Sequence, residues 1–258
     1  MTVPHPMAFR IGWFGTSIME HREAYSSRMA DPAALPAIGD TVVVDEHCSR
    51  GYVYRVHLAL QLAHPHLAFD CDNRGEGGAT SRDIAATVRA LPADTAYELA
   101  VFGCGINDVW RAFQVGRRGE AVSVEEYAEH YTAALVTLAT RARRVMCVSE
   151  TPFGPVAAPE TVTAMNTALT RYNEAATRCA AAAGASFIDA WTPFTATARA
   201  LARHRPGAVP ALWSDGVHLS DLGVALLAQQ VEGHLREHRI VEQLHLDTLP
   251  ALHGEMTT

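Results

Sequence analysis

The sequence predicts an α/β fold in three layers, a doubly wound parallel sheet covered by helices on both faces. Three observations predict it: short apolar runs alternate with longer stretches of helical period, the runs are apolar almost end to end, and no linker divides the 258 residues. Strands alternating with helices build βαβ units, and strands without a polar face are those a parallel sheet buries on both sides. Right-handed crossovers then place helices above and below the sheet. Apolar residues at 48% against charged residues at 19% supply a sizeable core. Residues 1–258 are expected to form a single domain.

The first strand is expected at Phe9–Gly15, and the others at 67–71, 97–102, 144–149 and 185–190. Helical periods fall between them at Tyr52–Ala63, 81–91, 124–142 and 160–183, with a last one at Asp221–Glu237. Ser220 stands immediately before that last helix, as an N-cap would. Residues 19–49 break the alternation. Pro32, Pro36 and Gly39 punctuate them before a short β-like run at 41–44, so they form either a surface insertion or a lid-like loop that shapes a site. The tail at 245–258, with Pro250 and few periodic apolar positions, is expected to be flexible or to pack against a neighbour.

Several function classes are disfavoured by composition. A formal charge of -7 with scattered Lys and Arg argues against a nucleic-acid partner, which demands clustered cations. No apolar run reaches the roughly 18 residues of a membrane span, and Met1 to Met7 shows no signal-peptide pattern. The five cysteines, Cys48, Cys71, Cys104, Cys147 and Cys179, have neither disulfide nor zinc spacing. Cys71, Cys104 and Cys147, within apolar runs, are read as small buried hydrophobes in a reducing, cytoplasmic setting, and neither cofactor nor metal is expected.

Four features follow strand ends, where open parallel sheets bind ligands. Phe14-Gly15-Thr16-Ser17 closes the first strand; alone, Ser17 is either a helix cap or a nucleophile awaiting a base. The stretch Asp72 to Thr80 carries Gly75, Gly77 and Gly78, a loop suited to aiming backbone amides at an oxyanion. A phosphate loop is the competing reading, but it lacks the Walker lysine. Gly103-Cys104-Gly105-Ile106-Asn107-Asp108 offers Asn107, a neutral NH₂ donor, or else a simple Asn and Gly turn. Finally, Asp215 stands three residues before His218, where it could orient the one side chain that titrates near neutrality.

Together these features resemble, in residue type and order, the blocks of the SGNH hydrolases, also called GDSL-type lipolytic enzymes. Ser17 matches the first-block serine, Gly78 the second-block glycine, Asn107 the third-block asparagine, and Asp215 and His218 the D-x-x-H of the last block. The resemblance implies a flavodoxin-like α/β/α sandwich with a five-stranded parallel sheet. It implies Ser17, His218 and Asp215 as the catalytic triad, and Ser17, Gly78 and Asn107 as the oxyanion hole. A small-molecule ester, a short acyl or acetyl ester of a small molecule or carbohydrate, would be the substrate, cleaved without a metal. An acyltransferase on the same triad and a non-catalytic binding protein are the alternatives. One departure from the family is Thr16, which stands where G-D-S has its aspartate. The absence of G-x-S-x-G around Ser17 disfavours the α/β-hydrolase fold. Trp13, Trp110 and Phe113 either line the pocket or belong to the core. Arg111, Arg117 and Arg118 either meet an acidic substrate or form a solvated loop.

Overall fold

The computed structural model describes residues 9–20, 51–204 and 211–247. Five strands form one parallel sheet: β1 (Phe9–Gly15), β2 (Phe69–Asn73), β3 (Tyr97–Gly103), β4 (Ala142–Val148) and β5 (Ser186–Ile188). Their spatial order is β2-β1-β3-β4-β5. The described helices are α1 (Tyr52–Ala63), α2 (Ser81–Arg89), α3 (Ile106–Phe113), α4 (Val124–Ala139), α5 (Pro159–Ala182), α6 (Trp191–His204), α7 (Asp221–Glu237) and α8 (Ile240–Leu246). Among them none is long and apolar enough to cross a membrane.

The period of two along each strand sends successive side chains to opposite layers. Ile11, Trp13, Leu99, Val101, Met146 and Val148 pack with Val53 and Val56 of α1 and Leu227 and Val231 of α7. Phe14, Ala100, Phe102 and Cys147 face the other way, against Ile84 and Val88 of α2 and Tyr127, Tyr131 and Leu135 of α4. Both faces of the central strands are therefore buried, which is why β1 and β3 read as largely apolar runs, while the edge strand β2 carries Asp70 and Asp72 and is only partly buried. Trp13 belongs to this core, and Cys104 and Cys147 lie inside it, with Cys71 packed at its border.

The strand order explains where a site can form. The chain leaves β1 for β2 on one side, then crosses to β3 on the other. This reversal opens a crevice at the carboxyl ends of β1 and β3. Ser17 follows β1 and Asn107 follows β3, and the register pairs Gly15 with Gly103 beside them. Local chemistry holds the entering helices. Thr80 and Asp83 form a capping box on α2, Ser123 caps α4, and Ser220 accepts from the Gly223 amide to cap α7 as its sequence position predicts.

Some expectations need correction. The second strand begins and ends two residues later than 67–71, so Asp72 and Asn73 are strand residues. The segment after β3 is not a turn or solvated loop but the helix α3. Its apolar residues Ile106, Val109, Trp110 and Phe113 have helical spacing, which is easily overlooked in only eight residues. Helices α6 and α8 were also not anticipated. Pro193 in the first turn of α6, followed by Phe194, Ala198 and Leu201, is the signal that marks it. Within the expected tail, His245 and Leu246 finish α8. Most of the excursion at 19–49, including the run at 41–44, lies outside the described residues, as do Cys48 and positions 248–258.

Candidate active site

Ser17 sits on a tight turn at the end of β1. The Thr16 carbonyl accepts hydrogen bonds from the amides of Met19 and Glu20, both at 2.9 Å. The loop after β2 is laddered onto the same strand end. Arg74 N–H donates to the Trp13 carbonyl at 2.8 Å, and Glu76 N–H to the Gly15 carbonyl at 2.9 Å. Asn73 locks the two loops together, donating from Nδ2 to the Met19 carbonyl (2.8 Å) while its Oδ1 accepts from the Gly75 amide (2.9 Å). Sequence reasoning did not single out Asn73. Its position ahead of the glycine-rich loop is the local signal.

The last loop brings a histidine to the serine. His218 Nε2 lies 2.9 Å from Ser17 Oγ, although 201 positions separate them in the chain. His218 Nδ1 lies 2.6 Å from Asp215 Oδ2. The other carboxylate oxygen, Oδ1, accepts from the backbone amides of His218 (2.7 Å) and Val217 (2.9 Å). Partial burial works against the Asp215 charge. The hydrogen bonds from the His218 ring and from the two amides outweigh it and hold the carboxyl below the usual carboxylate range. An ionised Asp215 draws the imidazole proton to Nδ1 and leaves the Nε2 lone pair facing Ser17.

This loop is braced from behind. Gly216, at φ 87°, turns the backbone so that its carbonyl accepts from the Gly154 amide at 2.7 Å. Trp213 Nε1 donates to the Pro152 carbonyl at 2.9 Å. Ser214 N–H closes the loop on the His218 carbonyl at 2.9 Å.

Helix α3 grips the glycine-rich loop. Asn107 is buried, and its Nδ2 donates to the Ala79 carbonyl at 2.8 Å. An amide nitrogen carries two hydrogens, so this bond fixes the direction of the second. Asp108, also buried, accepts from the Ser81 amide at 2.9 Å and from the Ser81 hydroxyl, which pins the start of α2. Burial raises its carboxyl to about 6 against the pull of the Ser81 bonds. Arg111 does not meet solvent, as a loop reading implied. Its side chain is 2% exposed, and Nη2 donates to the Gly78 carbonyl at 2.6 Å. Phe113 is exposed, and Trp110 is half-buried. Arg117 pairs with Glu120 at the surface, in the turn after α3.

A cavity of about 20 Å³ lies beside the turn that carries Ser17, lined by Thr16, Ile18, Met19, Tyr52, Glu150 and Leu227 among others. Glu150, which sequence reasoning missed, is buried there with Oε1 unpartnered. Burial pushes its carboxyl up to about 7; the Ile106 amide opposes this, and the neighbouring Asp108 reinforces it. A raised carboxyl stabilises the fold fully only below its unfolded value near 4.5, and that contribution is lost as pH rises through about 7. Glu150→Gln is therefore expected to match the wild type in melting temperature near pH 4.5. It should exceed the wild type near pH 8 by the equivalent of about 3 kcal/mol. Thermal melts across that range check it, and a pH-independent difference would contradict it. Among the described residues no group of three or more His, Cys, Asp or Glu is arranged to hold a metal.

The GDSL-like Lipase/Acylhydrolase family matches residues 16–226. No curated protein matches the chain by sequence. In fold, the chain resembles an acetylxylan esterase from Geobacillus stearothermophilus, with 22% identity over 90% of this chain and 94% of that one, at TM-score 0.67. It also resembles an α/β hydrolase enzyme from the metagenome of Lake Arreo, Spain, with 21% identity over 89% and 95% of the two chains, at TM-score 0.66. Solved catalytic mutants of the Geobacillus esterase replace a serine, an aspartate or a histidine by alanine.

Proposed function

Since the chain belongs to the GDSL-like lipase/acylhydrolase family, we propose that it is a serine esterase in which Ser17 attacks the carbonyl of a short acyl or acetyl ester. The observation that carries this reading is the unbroken chain Asp215–His218–Ser17, with contacts of 2.6 and 2.9 Å. His218 Nε2 takes the Ser17 proton as Oγ bonds to the carbonyl carbon, and Asp215 stabilises the imidazolium that forms. The negative charge moves to the carbonyl oxygen, where the amides of Ser17 and Gly78 and the second N–H of Asn107 receive it. Collapse of this intermediate breaks the C–O bond, and His218 gives its proton to the departing alcohol. Water then repeats the sequence on the acyl-enzyme and frees the acid and Ser17.

Thr16 in place of the family aspartate leaves these transfers intact, because its side chain is buried and none of the steps uses it. A small-molecule or carbohydrate ester is the substrate class that agrees with the esterases of similar fold. The protein is expected to hydrolyse p-nitrophenyl acetate and acetylated xylo-oligosaccharides. A fluorophosphonate probe should add a single phosphonyl group, located at Ser17 by peptide mass mapping, as hydrolysis ceases. Turnover that persists in fully labelled protein, or label on another residue, would overturn the assignment.

A further inference from the structure

We propose that Arg111 is a positioning residue of the oxyanion hole, its buried guanidinium holding the Gly78 carbonyl so that the Gly78 amide stays aimed at the reacting carbonyl. This rests on the esterase reading above and deepens it.

The geometry is that of a two-point grip. Residues 107 and 111 are one helical turn apart and share a face of α3. Asn107 holds the Ala79 carbonyl at 2.8 Å, and Arg111 Nη2 holds the preceding carbonyl, Gly78, at 2.6 Å. Consecutive peptides of the oxyanion loop are thus tied to consecutive turns of one helix. Gly78 is where such a tie matters most. Its φ of 77° lies in the left-handed region, and glycine by itself chooses weakly between backbone wells. It has no side chain to brace it, and a Cβ there would sit 3.1 Å from Arg111 Nη2, so the guanidinium occupies the space a side chain would need. Holding the carbonyl of a residue narrows the directions its own amide can take.

The burial of Arg111 is accounted for by the bonds it makes, and the Gly78 carbonyl is the main-chain partner among them. A buried guanidinium is costly unless it is paired and hydrogen-bonded. Its acidic neighbour Glu120 is 3.5 Å from Nε and half exposed, and Nε has no hydrogen-bond partner among the described residues. The short bonds go to Gly78 and, from Nη1, to Gln114 Oε1 at 2.6 Å. A charge-assisted bond to a main-chain carbonyl is stronger than a neutral one, which suits a clamp on a mobile residue type. Each Nη donates to a carbonyl oxygen of the protein, Gly78 or Gln114, and the side chain is 2% exposed, so the role is positioning and not contact with substrate.

Arg111→Met keeps the apolar stem and removes the fork. On p-nitrophenyl acetate it is expected to lower kcat by about tenfold to a hundredfold, less than outright loss of a donor, with KM within about twofold. Affinity for a trifluoromethyl ketone, whose hemiketal oxyanion fills the hole, should fall in parallel with kcat. Amide hydrogen exchange at Gly78 should quicken while that at Ile84 in α2 stays unchanged. If the Met variant does not fold, Arg111→Lys, which keeps the charge but not the planar fork, should show the same pattern. An unchanged kcat, a loss tracking only the folded fraction, or unaltered exchange at Gly78 would overturn the proposal. A wild-type protein that neither hydrolyses the ester nor takes the fluorophosphonate would instead fail the esterase reading and remove Arg111 from catalysis. The Gly78 exchange rates would still tell whether the clamp exists.

Discussion

Ser17→Ala is expected to lower kcat on p-nitrophenyl acetate by about 10⁴ to 10⁶, with the folded protein intact. A neighbour is not expected to take its place: Thr16 is buried, and among the described residues no other hydroxyl is hydrogen-bonded to His218 Nε2. Losing the Ser17 hydroxyl removes one hydrogen bond at a partly exposed site, and the turn is held by the Thr16 carbonyl and the Asn73 side chain, which the substitution leaves alone. Stability should therefore change by less than about 1 kcal/mol. The residue of activity has a definite source, because the oxyanion donors still bind a carbonyl that water attacks directly. Steady-state kinetics with thermal melts on the same preparation checks this. A variant that keeps within tenfold of wild-type kcat would reject Ser17 as the attacking group.

Local motifs made much of this legible from sequence. The strands of a doubly wound sheet announce themselves because both faces are buried, and β1, β3 and β4 were placed to within a few residues on that ground. Ser17, Gly78 and Asn107 lie in short stretches after the ends of β1, β2 and β3, which the fold gathers on one edge; Asp215 and His218 instead stand in the loop that enters α7. The residues that were not legible depend on contacts distant in sequence. Arg111 reads as a surface cation until α3 is seen to turn it onto Gly78, 33 positions away. Glu150 follows β4 as any loop carboxylate could, and it is contacts distant in sequence, with Tyr52 of α1, Leu227 of α7 and Asn173 of α5 around it, that bury it. The helix α3 itself was hidden by its own chemistry. Gly105, Asn107 and Asp108 are turn formers by propensity, and tertiary hydrogen bonds to Ala79 and Ser81 override it.

That override sets the terms for the second large effect. In the proposed mechanism Asn107→Ala removes an oxyanion donor and should cost about 10² to 10³ in kcat with little change in KM, because the lost bond is made to charge that develops only in the transition state. Unlike Ser17, Asn107 is buried and also supports the loop through the Ala79 carbonyl. The variant should therefore lose about 1 to 3 kcal/mol of stability by urea denaturation, the penalty of a buried carbonyl left without its donor. Asn107→Asp separates the two roles further. A carboxylate of the same shape cannot donate to Ala79 or to an oxyanion. It would also place a negative charge beside the buried Asp108, whose own carboxyl is already raised to about 6 by burial. The aspartate variant is therefore expected to be the slower of the two at pH 8, and to recover toward the alanine variant near pH 6 as it takes up a proton. Equal activity of the two variants at pH 8 would mean that no negative charge develops beside position 107 in the rate-limiting step.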